Sequence, residues 1–454
     1  MRIRFSWFLG LATLLSTALL VACSAKYSST SNGLVVVSTQ GSAVMDMFSL
    51  DLGNGHMTQI YDSAGPPTNG VPTSVVLAPG GGFAYLLVAQ SANLPGSSTG
   101  VETFSVASDG KLGPEMTTGL HPSTKATAAC SFTQNGKTVT QEIPVTVKAP
   151  VIPAAMVIDS AGKLLFVADT STTAKATYEC NGASVTATVP VPGAVSVLTV
   201  SNGSLTEVAG SPFPLSAESG GSAPSASALA VSPTVYPPAY SVCSGNTPPT
   251  TENLYVTDSI NYYVVNYSVL PSGALALVPA SASASGTAGY PTGTNPTGVT
   301  VDPCNRFVYV ANGQPSNSVT AFTICNTVTL PTCPNANFSL LPISGSPFTA
   351  GPGPIALTVD PLGLYLYVLD QQENAIRPYK ISTATGTLTA LTPAYSGSNQ
   401  FPTSMAIRSD DTWMFVTNLN SASLSQYAIT PSTGALTTQP PVQTDNNPWG
   451  VAVR

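Results

Sequence analysis

The segment Gly353-Pro-Ile-Ala-Leu-Thr-Val-Asp-Pro-Leu-Gly-Leu-Tyr-Leu-Tyr-Val-Leu-Asp370 indicates the fold of the whole chain, because its pattern is repeated along the sequence. Two further clear copies run from Asn295 to Asn312 and from Phe401 to Asn418. Each copy has an opening proline, an alternating apolar run, a turn and a second apolar run that ends on Asn or Asp. Repetition of this kind indicates a stacked or radial array of like units.

Each repeat predicts four β-strands. Alternation with β-branched residues, as in Leu357-Thr358-Val359, is typical of a strand, and residues 360–363 suit a tight turn. A third strand at 376–381 and a hairpin at Ala384-Thr385-Gly386 lead to a fourth strand that begins at Thr387. Four strands in roughly 45 residues make the blade of a β-propeller.

The number of opening prolines indicates the number of blades. The last copy has one strand, 449–453, whereas three strands without a preceding first strand stand at the other end of the chain, at 34–38, 44–50 and about 56–61. We therefore predict an all-β, seven-bladed propeller with four-stranded blades, whose last blade is closed by N- and C-terminal strands, which removes free sheet edges. The seven prolines are Pro72, Pro153, Pro224, Pro296, Pro354, Pro402 and Pro448.

The start of the chain predicts export. Residues 1–22 combine a charged beginning with an apolar run, as a secretory signal peptide does. The run ends Leu20-Val21-Ala22-Cys23, which resembles the lipobox of bacterial lipoproteins, so we expect Cys23 to be lipidated. Residues 23–32 form a Ser-rich tether, and 33–454 form the propeller. The expected location is the bacterial cell envelope, at the outer membrane or the periplasmic face.

The low and acidic charge of the chain argues against some classes of binding partner. Only 8% of the residues are charged, and the net charge is −7. An acidic chain without basic clusters argues against nucleic acid as a partner. We expect an unidentified protein or carbohydrate ligand, membrane contact only through the lipid anchor, and no cofactor.

Six cysteines follow Cys23, an even number that predicts disulfides in an exported protein. The blade arrangement narrows the fifteen pairings that six cysteines allow, because partners should share a hairpin or a face of the propeller. The three predicted disulfides are Cys130–Cys180 between two insertions, Cys243–Cys304 between turns of adjacent blades, and Cys325–Cys333 across one hairpin.

The propeller region is longer than seven blades require, since these need about 315 residues. We expect the surplus to form loops of one domain, because no insertion has a long periodic pattern of its own. Loops on a rigid scaffold often carry function. Insertions that have no function of their own and are stabilised by disulfides are an equally good explanation of this surplus. The insertions lie near 119–151, 170–192, 232–252 and 281–295.

The repeat resembles that of the lactonase-type seven-bladed propellers and the related Tyr-Val-Thr-Asn repeat propellers, over about Gly33 to Arg454. Val416-Thr417-Asn418 matches three of the four letters of that name. The family includes 6-phosphogluconolactonases, muconate cycloisomerases and exported propellers without an assigned activity. The resemblance implies a site at the mouth of the central channel, built partly from the positions just after the opening prolines.

In this sequence those positions hold no side chain that exchanges a proton near neutral pH and no Arg or Lys that could bind a phosphate. Lactone opening needs a base that activates water and donors for the developing oxyanion, and a phosphorylated sugar favours Arg or Lys. We therefore expect a lipid-anchored binding or scaffold module. The predicted channel-mouth residues are Thr73, Ala154, Ser225, Thr297, Ile355, Thr403 and Trp449.

Two alternatives stay open. The chain could be a lactonase or cycloisomerase with a rebuilt site, for which His121 is the best general-base candidate; a surface histidine is the simpler interpretation of His121, and also of His56. The chain could instead be a glycan-binding or adhesion module that stacks sugars on aromatic rings, although packing between blades is the usual role of such rings. The candidate aromatics are Tyr262, Tyr263, Tyr290 and Trp449.

An Asp or Asn recurs at the end of the second strand in five repeats. These residues should form a ring on one face, near the channel mouth, and their oxygens could hold Ca²⁺. Asx side chains also cap strand ends by bonding to local backbone, which explains the recurrence without a ligand. The ring consists of Asp169, Asp258, Asn312, Asp370 and Asn418.

Overall fold

A computed structural model describes most of the chain after the predicted tether. The predicted signal peptide, Cys23 and nearly all of the tether lie outside the described residues, as do large parts of the insertions near 232–252 and 281–295. The described residues are 32–61, 66–94, 96–121, 125–216, 222–234, 243, 251–280, 289–326, 333, 337–396 and 400–454.

The regular secondary structure of the described residues is β-strand, apart from short 3₁₀ turns such as Leu419–Ser421. The strands are, in chain order, β1 (Asn32–Thr39), β2 (Val44–Asp51), β3 (Met57–Gln59), β4 (Val71–Leu77), β5 (Phe83–Ala89), β6 (Gly100–Val106), β7 (Leu112–Gly119), β8 (Lys125–Gln134), β9 (Lys137–Thr146), β10 (Pro153–Ile158), β11 (Leu164–Asp169), β12 (Thr172–Cys180), β13 (Ala183–Val191), β14 (Ala194–Ser201), β15 (Ser204–Glu207), β16 (Phe213–Pro214), β17 (Ala226–Val231), β18 (Glu252–Asp258), β19 (Tyr263–Val269), β20 (Leu275–Leu277), β21 (Tyr290–Pro291), β22 (Pro296–Val301), β23 (Phe307–Asn312), β24 (Ser318–Ile324), β25 (Leu340–Pro342), β26 (Phe348–Thr349), β27 (Pro354–Val359), β28 (Tyr365–Asp370), β29 (Ala375–Ile381), β30 (Leu388–Ala390), β31 (Tyr395–Ser396), β32 (Pro402–Ile407), β33 (Trp413–Asn418), β34 (Ser423–Thr430), β35 (Ala435–Gln443) and β36 (Pro448–Val453).

Seven antiparallel sheets form the blades of the propeller, which confirms the predicted fold. From the innermost strand outward, blade 1 is β36-β1-β2-β3, blade 2 is β4-β5-β6-β7, blade 3 is β10-β11-β14-β15, and blade 4 is β17-β18-β19-β20. Blades 5, 6 and 7 are β22-β23-β24-β25, β27-β28-β29-β30 and β32-β33-β34-β35. The short strands β16, β21, β26 and β31 each pair with the third strand of a blade.

Blade 1 closes the ring with strands from both ends of the chain, as predicted. β36 supplies its innermost strand, and Val35 of β1 pairs with Val453 while Val37 pairs with Val451. The last strand is therefore hydrogen-bonded into a sheet, and the first and last blades share one core.

The two faces of the propeller are defined by the direction of the first strands. Each first strand begins beside the end of the second strand, as Pro296 does beside Asn312; we call this side the mouth face. The turns between first and second strands lie on the opposite face. Because Val35 pairs with Val453 near the end of β36, the described chain starts at the opposite face.

Aromatic residues of the second strands hold neighbouring blades together. Tyr309 and Tyr367 are completely buried, and their hydroxyls donate to the carbonyl oxygens of Gly386 (3.0 Å) and Gly434 (3.1 Å) on the next blade. Burial of a tyrosine with its hydroxyl satisfied is strongly stabilising. Gly386 has a φ of +71°, and a Cβ there would lie 2.6 Å from the Phe307 ring, so this hairpin requires glycine.

The insertions near 119–151 and 170–192 form two regular hairpins, β8–β9 and β12–β13, rather than the expected loops. We call them together the hairpin pair. Small buried side chains such as Ala128 and Ala176 form a core between them. The alternation of β8 and β12 is a weak strand signal, because it places mostly alanine, rather than large apolar side chains, between polar residues.

The cysteines pair as predicted. Cys130–Cys180 joins the two hairpins of the hairpin pair, Cys243–Cys304 joins turns on the opposite face, and Cys325–Cys333 closes the connection between β24 and β25. Three disulfides indicate folding in an oxidising, extracytoplasmic compartment. In the described part of the chain, no helix has the length and apolar character needed to cross a membrane.

Candidate functional site

The first strands of the seven blades surround a central cavity of about 770 Å³. Its walls come mainly from the second to fourth residues of these strands, and mouth-face residues such as Ser259, Gln371 and Phe401 border it. The cavity therefore lies at the mouth face, and its size is within the range of small-molecule sites.

Six of the seven predicted channel-mouth residues line this cavity. They are Thr73, Ala154, Thr297, Ile355, Thr403 and Trp449.

Ser225, the seventh, is wrongly placed by the prediction. β17 begins at Ala226, which pairs with Asp258 as Pro296 pairs with Asn312, so Ser227 occupies the position that we assigned to Ser225. Ser227 lines the cavity, whereas Ser225 is buried and its amide donates to Asp258 Oδ1 at 2.9 Å. The error arose because Pro224 stands two residues before the structural equivalent of the other opening prolines.

Polar side chains at the cavity wall connect neighbouring blades. We call these contacts the interblade bonds; each ends on the carbonyl oxygen of the residue that opens the next first strand. Ile355 has no hydroxyl, and the Gln371 amide makes the bond in that blade. The interblade bonds are Ser227 Oγ to Pro296 (2.8 Å), Thr297 Oγ1 to Pro354 (2.8 Å), Gln371 Nε2 to Pro402 (3.0 Å) and Thr403 Oγ1 to Pro448 (3.2 Å).

The cavity is electrically neutral. Among the described residues that line it, none is an Asp, Glu, His, Lys or Arg; they are aliphatic, aromatic, hydroxyl-bearing or amide residues. A wall of this composition offers no general base near neutral pH and no cation for a phosphate. It does offer apolar surface with a few polar groups, which is the usual character of a binding pocket.

Phe401 has an unusual backbone conformation at the rim of the cavity. Its φ is +61°, and the residues at the same position of three other blades are Asn295 (+54°), Gly353 (+70°) and Asn447 (+57°). Asn and Gly tolerate this left-handed region, whereas a bulky side chain there is strained, by about 1–2 kcal/mol. Phe401 is nevertheless 39% exposed and is one of the exposed large hydrophobic residues of the described chain, rather than a core residue.

Of the candidate stacking aromatics, only some are accessible. Tyr290 is 4% exposed and packs edge-on against Phe322 in the core, so it is not a surface platform. Tyr262 is 42% exposed and also has a left-handed backbone, with a φ of +63°. Trp449 lines the cavity, and Tyr263 is part of β19.

The ring of Asp and Asn residues lies one strand outward from the cavity wall, and none of its five members lines the cavity. Their side chains bond mainly to their own blades. Arg377 Nε donates to Asp370 Oδ2 at 2.6 Å, and Asn418 Nδ2 donates to Ser425 Oγ at 2.9 Å. Among the described residues, no group of three or more His, Cys, Asp or Glu is placed to hold a metal ion. Capping of local structure explains these contacts.

Two ring carboxyls are buried strongly enough to change their acidity. Burial raises the pKa of Asp169 to about 7, and the nearby Glu207 carboxylate adds to the effect. Burial also raises the pKa of Asp370 to about 7, against the lowering effect of Arg377. Neither carboxyl faces the cavity, so these shifts do not create a base at the channel mouth.

Both histidines lie away from the cavity lining. His121 follows β7, the outermost strand of blade 2, and its ring contacts Glu207 at the outer edge of blade 3; the His121 side chain is 75% exposed. His121 is thus at the circumference rather than over the channel mouth. His56 is exposed in the turn before β3, where its amide donates to Asn54 Oδ1 at 2.8 Å.

Comparison with known proteins confirms the resemblance to lactonase-type propellers. The sequence model of the family described as "Lactonase, 7-bladed beta-propeller" matches residues 336–451. No curated protein matches the chain by sequence.

Solved structures share the fold over almost the whole chain. A periplasmic gluconolactonase of Pseudomonas aeruginosa is 18% identical, with a TM-score of 0.59 and coverage of 93% of this chain and 98% of that one. A candidate 6-phosphogluconolactonase of Bacteroides uniformis is 15% identical, with a TM-score of 0.60 and coverage of 94% and 100%. At these identities the likeness is one of fold.

Proposed function

We propose that this chain is an exported binding module that holds an uncharged ligand in the central cavity. The observation that carries the proposal is the composition of the cavity wall, in which the described lining residues include no ionisable side chain. A charged ligand would lose its hydration there without gaining an oppositely charged partner, whereas the smaller desolvation cost of a neutral ligand can be offset by the hydroxyl and amide groups of the wall.

The same observation argues against catalysis in the cavity. Lactone hydrolysis needs a group that activates water and donors that stabilise an oxyanion. His121, the best general-base candidate from the sequence, lies at the outer edge of the blades. The family resemblance favours a lactonase, so activity on lactones is the alternative that an experiment has to test.

The orientation of the chain suits a binding module at the cell envelope. The described chain starts at the opposite face, where Val35 pairs with Val453. If Cys23 is lipidated and residues 24–31 act as a tether, as we propose, the anchor lies on the side away from the cavity. The mouth face would then point away from the membrane, towards ligands in solution.

A thermal-shift panel sorted by charge tests this function. The full chain, expressed with export so that its disulfides form, is mixed with neutral sugars, neutral lactones and 6-phosphogluconate, and turnover of gluconolactone and 6-phosphogluconolactone is measured in parallel. Two variants accompany it. Ala154→Trp fills the cavity at a position where blade 1 already holds Trp449, and Ala161→Trp alters an exposed turn on the opposite face.

We expect neutral ligands to raise the Tm of wild type and Ala161→Trp but not that of Ala154→Trp, with lactone turnover at the spontaneous rate. Stabilisation by 6-phosphogluconate alone would overturn the proposal. So would lactone turnover that Ala154→Trp abolishes, because it would show that the cavity is an active site.

A further inference from the structure

We propose that the ligand is an elongated neutral glycan, which occupies the central cavity and continues into a groove beside the hairpin pair. The groove has a volume of about 960 Å³ and is lined by residues within 89–92, 97–99 and 149–153; we call it the hairpin groove. This inference rests on the proposed function and adds the shape and the chemical class of the ligand.

The cavity and the hairpin groove adjoin each other. Thr73, at the start of β4, lines both of them. Pro153 lines the groove and the next residue, Ala154, lines the cavity. The two spaces therefore meet at Thr73 and at Pro153-Ala154, between blades 2 and 3, and this is the path that the proposal assigns to an elongated ligand.

The walls of the hairpin groove are fixed by hydrogen bonds. On the blade 2 side, the backbone N–H of Gln90 donates to Thr99 Oγ1 at 3.0 Å, and Ser97 Oγ donates to the Ser91 carbonyl oxygen at 3.0 Å. On the other side, the Thr170 amide donates to the Ile152 carbonyl at 2.9 Å. Ordered walls reduce the entropy lost on binding, so the groove is suited to hold a ligand rather than merely to separate two loops.

The composition of the groove matches that of the cavity. Its described lining contains alanine, proline, valine and isoleucine together with serine, threonine and glutamine, and no charged side chain. Ile152 is 43% exposed there. Apolar patches interspersed with hydroxyl and amide groups are complementary to sugars, whose ring faces are apolar and whose edges carry hydroxyls.

Phe401 supplies an aromatic face at the cavity end of this path. It is kept exposed in a backbone conformation that Asn or Gly adopts in three other blades, and strained residues of this kind cluster at ligand sites. An extended peptide would instead be expected to add to a free strand edge, whereas most of the groove lining belongs to the connecting segments 90–99 and 149–152. These features favour a glycan over a peptide.

A chain-length series tests the inference. Affinities of the full chain are measured by calorimetry for malto-, cello- and chito-oligosaccharides of two and six units, with a neutral, end-blocked decapeptide in parallel. Ser98→Trp places a large side chain in the hairpin groove at an exposed position. Asn93→Trp is the matched control, because it is exposed in the same loop but does not line the groove. Ala154→Trp blocks the cavity.

For at least one series we expect the hexasaccharide to bind at least tenfold more tightly than the disaccharide, and Ser98→Trp, but not Asn93→Trp, to remove this gain. Ala154→Trp should lower the affinity for both the disaccharide and the hexasaccharide.

Equal affinity for both lengths, or a gain that Ser98→Trp leaves intact, would overturn the inference while the cavity function stands. Binding of the decapeptide but of none of the glycans would overturn the ligand class. Binding of disaccharide and hexasaccharide that Ala154→Trp does not change would instead refute the cavity itself.

Discussion

The side-chain hydroxyl of Thr297 on β22 donates a hydrogen bond to the carbonyl oxygen of Pro354 on β27, across 2.8 Å from blade 5 to blade 6. Similar bonds connect blades 4 and 5, 6 and 7, and 7 and 1. In three blades, the second residue of the first strand (Ser227, Thr297 or Thr403) therefore joins neighbouring blades. In an enzyme the same position could carry a reactive side chain, so its use for the interblade bonds limits the chemistry of the cavity.

Removal of one interblade bond should lower stability measurably. Thr297→Val keeps the shape of the side chain but leaves the Pro354 carbonyl without this donor, and we expect a loss of about 1 kcal/mol in the free energy of unfolding. Denaturant unfolding at constant m-value measures it. Thr300→Val, on the same strand, is the control. An equal loss in both variants would mean that the effect is one of strand propensity and not of the bond between blades.

The sequence was sufficient to predict the blades, because six of the seven first strands have a proline as their first or second residue and most repeats follow it with a turn and an apolar second strand at a similar spacing. It was also sufficient for the disulfides, since blade positions place each pair of cysteines on one hairpin or one face. It failed at Ser225, where an extra proline shifted the apparent start of the strand by two residues.

Other features of the site depend on three-dimensional packing that no local pattern encodes. The position of His121 depends on the course of the hairpin pair, and the Gln371 amide replaces a missing hydroxyl from a different strand. A signal for Phe401 was present in the sequence, because an aromatic residue stands where other repeats have Asn or Gly before the opening proline. Its significance depends on the left-handed backbone at that position, which the residue type alone does not show.

Stability should fall as the pH rises through neutrality. Burial raises the pKa of Asp411 to about 7, with a further contribution from Asp360, and neither carboxylate oxygen of Asp411 has a hydrogen-bond partner among the described residues. Burial likewise raises the pKa of Glu102 and of Glu252 to about 8. A raised carboxyl pKa contributes stability that is complete below its unfolded value, near 4, and is lost as the pH rises through the folded value.

Asp411→Asn tests this linkage at one position. Asn tolerates the φ of +58° found at Asp411 and cannot ionise. We expect the variant to be more stable than wild type at pH 8, by about 2 kcal/mol, with the difference shrinking towards pH 4. Urea unfolding at pH 4, 6 and 8 measures it. Asp109→Asn, at an exposed turn, should change little, and a pH-independent effect of Asp411→Asn would contradict the explanation.

The disulfide Cys130–Cys180 should stabilise the hairpin pair far more than the propeller. The core of the hairpin pair consists largely of alanine and valine and is separate from the cores between blades. Such a small core gains little from burial, so the disulfide, worth about 2–4 kcal/mol, is needed there. After replacement of both cysteines by serine, we expect trypsin to cut at Lys125, Lys137 or Lys175 while the main Tm moves little.

Replacement of Cys325 and Cys333 by serine is the comparison for that experiment. These cysteines are 8 residues apart and lie within one blade, so the hairpin pair should stay resistant to trypsin in that variant. If both double variants were cut equally within the hairpin pair, the disulfide between the hairpins would not be what holds them.

Phe401→Asn should separate stability from binding. Asn suits the left-handed backbone that Phe401 adopts, so we expect the free energy of unfolding to rise by about 1 kcal/mol. The same change removes the exposed ring at the cavity rim, and the neutral ligands that stabilise wild type should bind at least tenfold more weakly.

Tyr262→Asn is the matched control, because Tyr262 also has a positive φ but does not line the cavity. That variant should gain stability and keep its affinity. If Phe401→Asn instead lowered stability with no change in binding, the ring would be a packing residue, and selection for a ligand would not explain a strained aromatic side chain at this position.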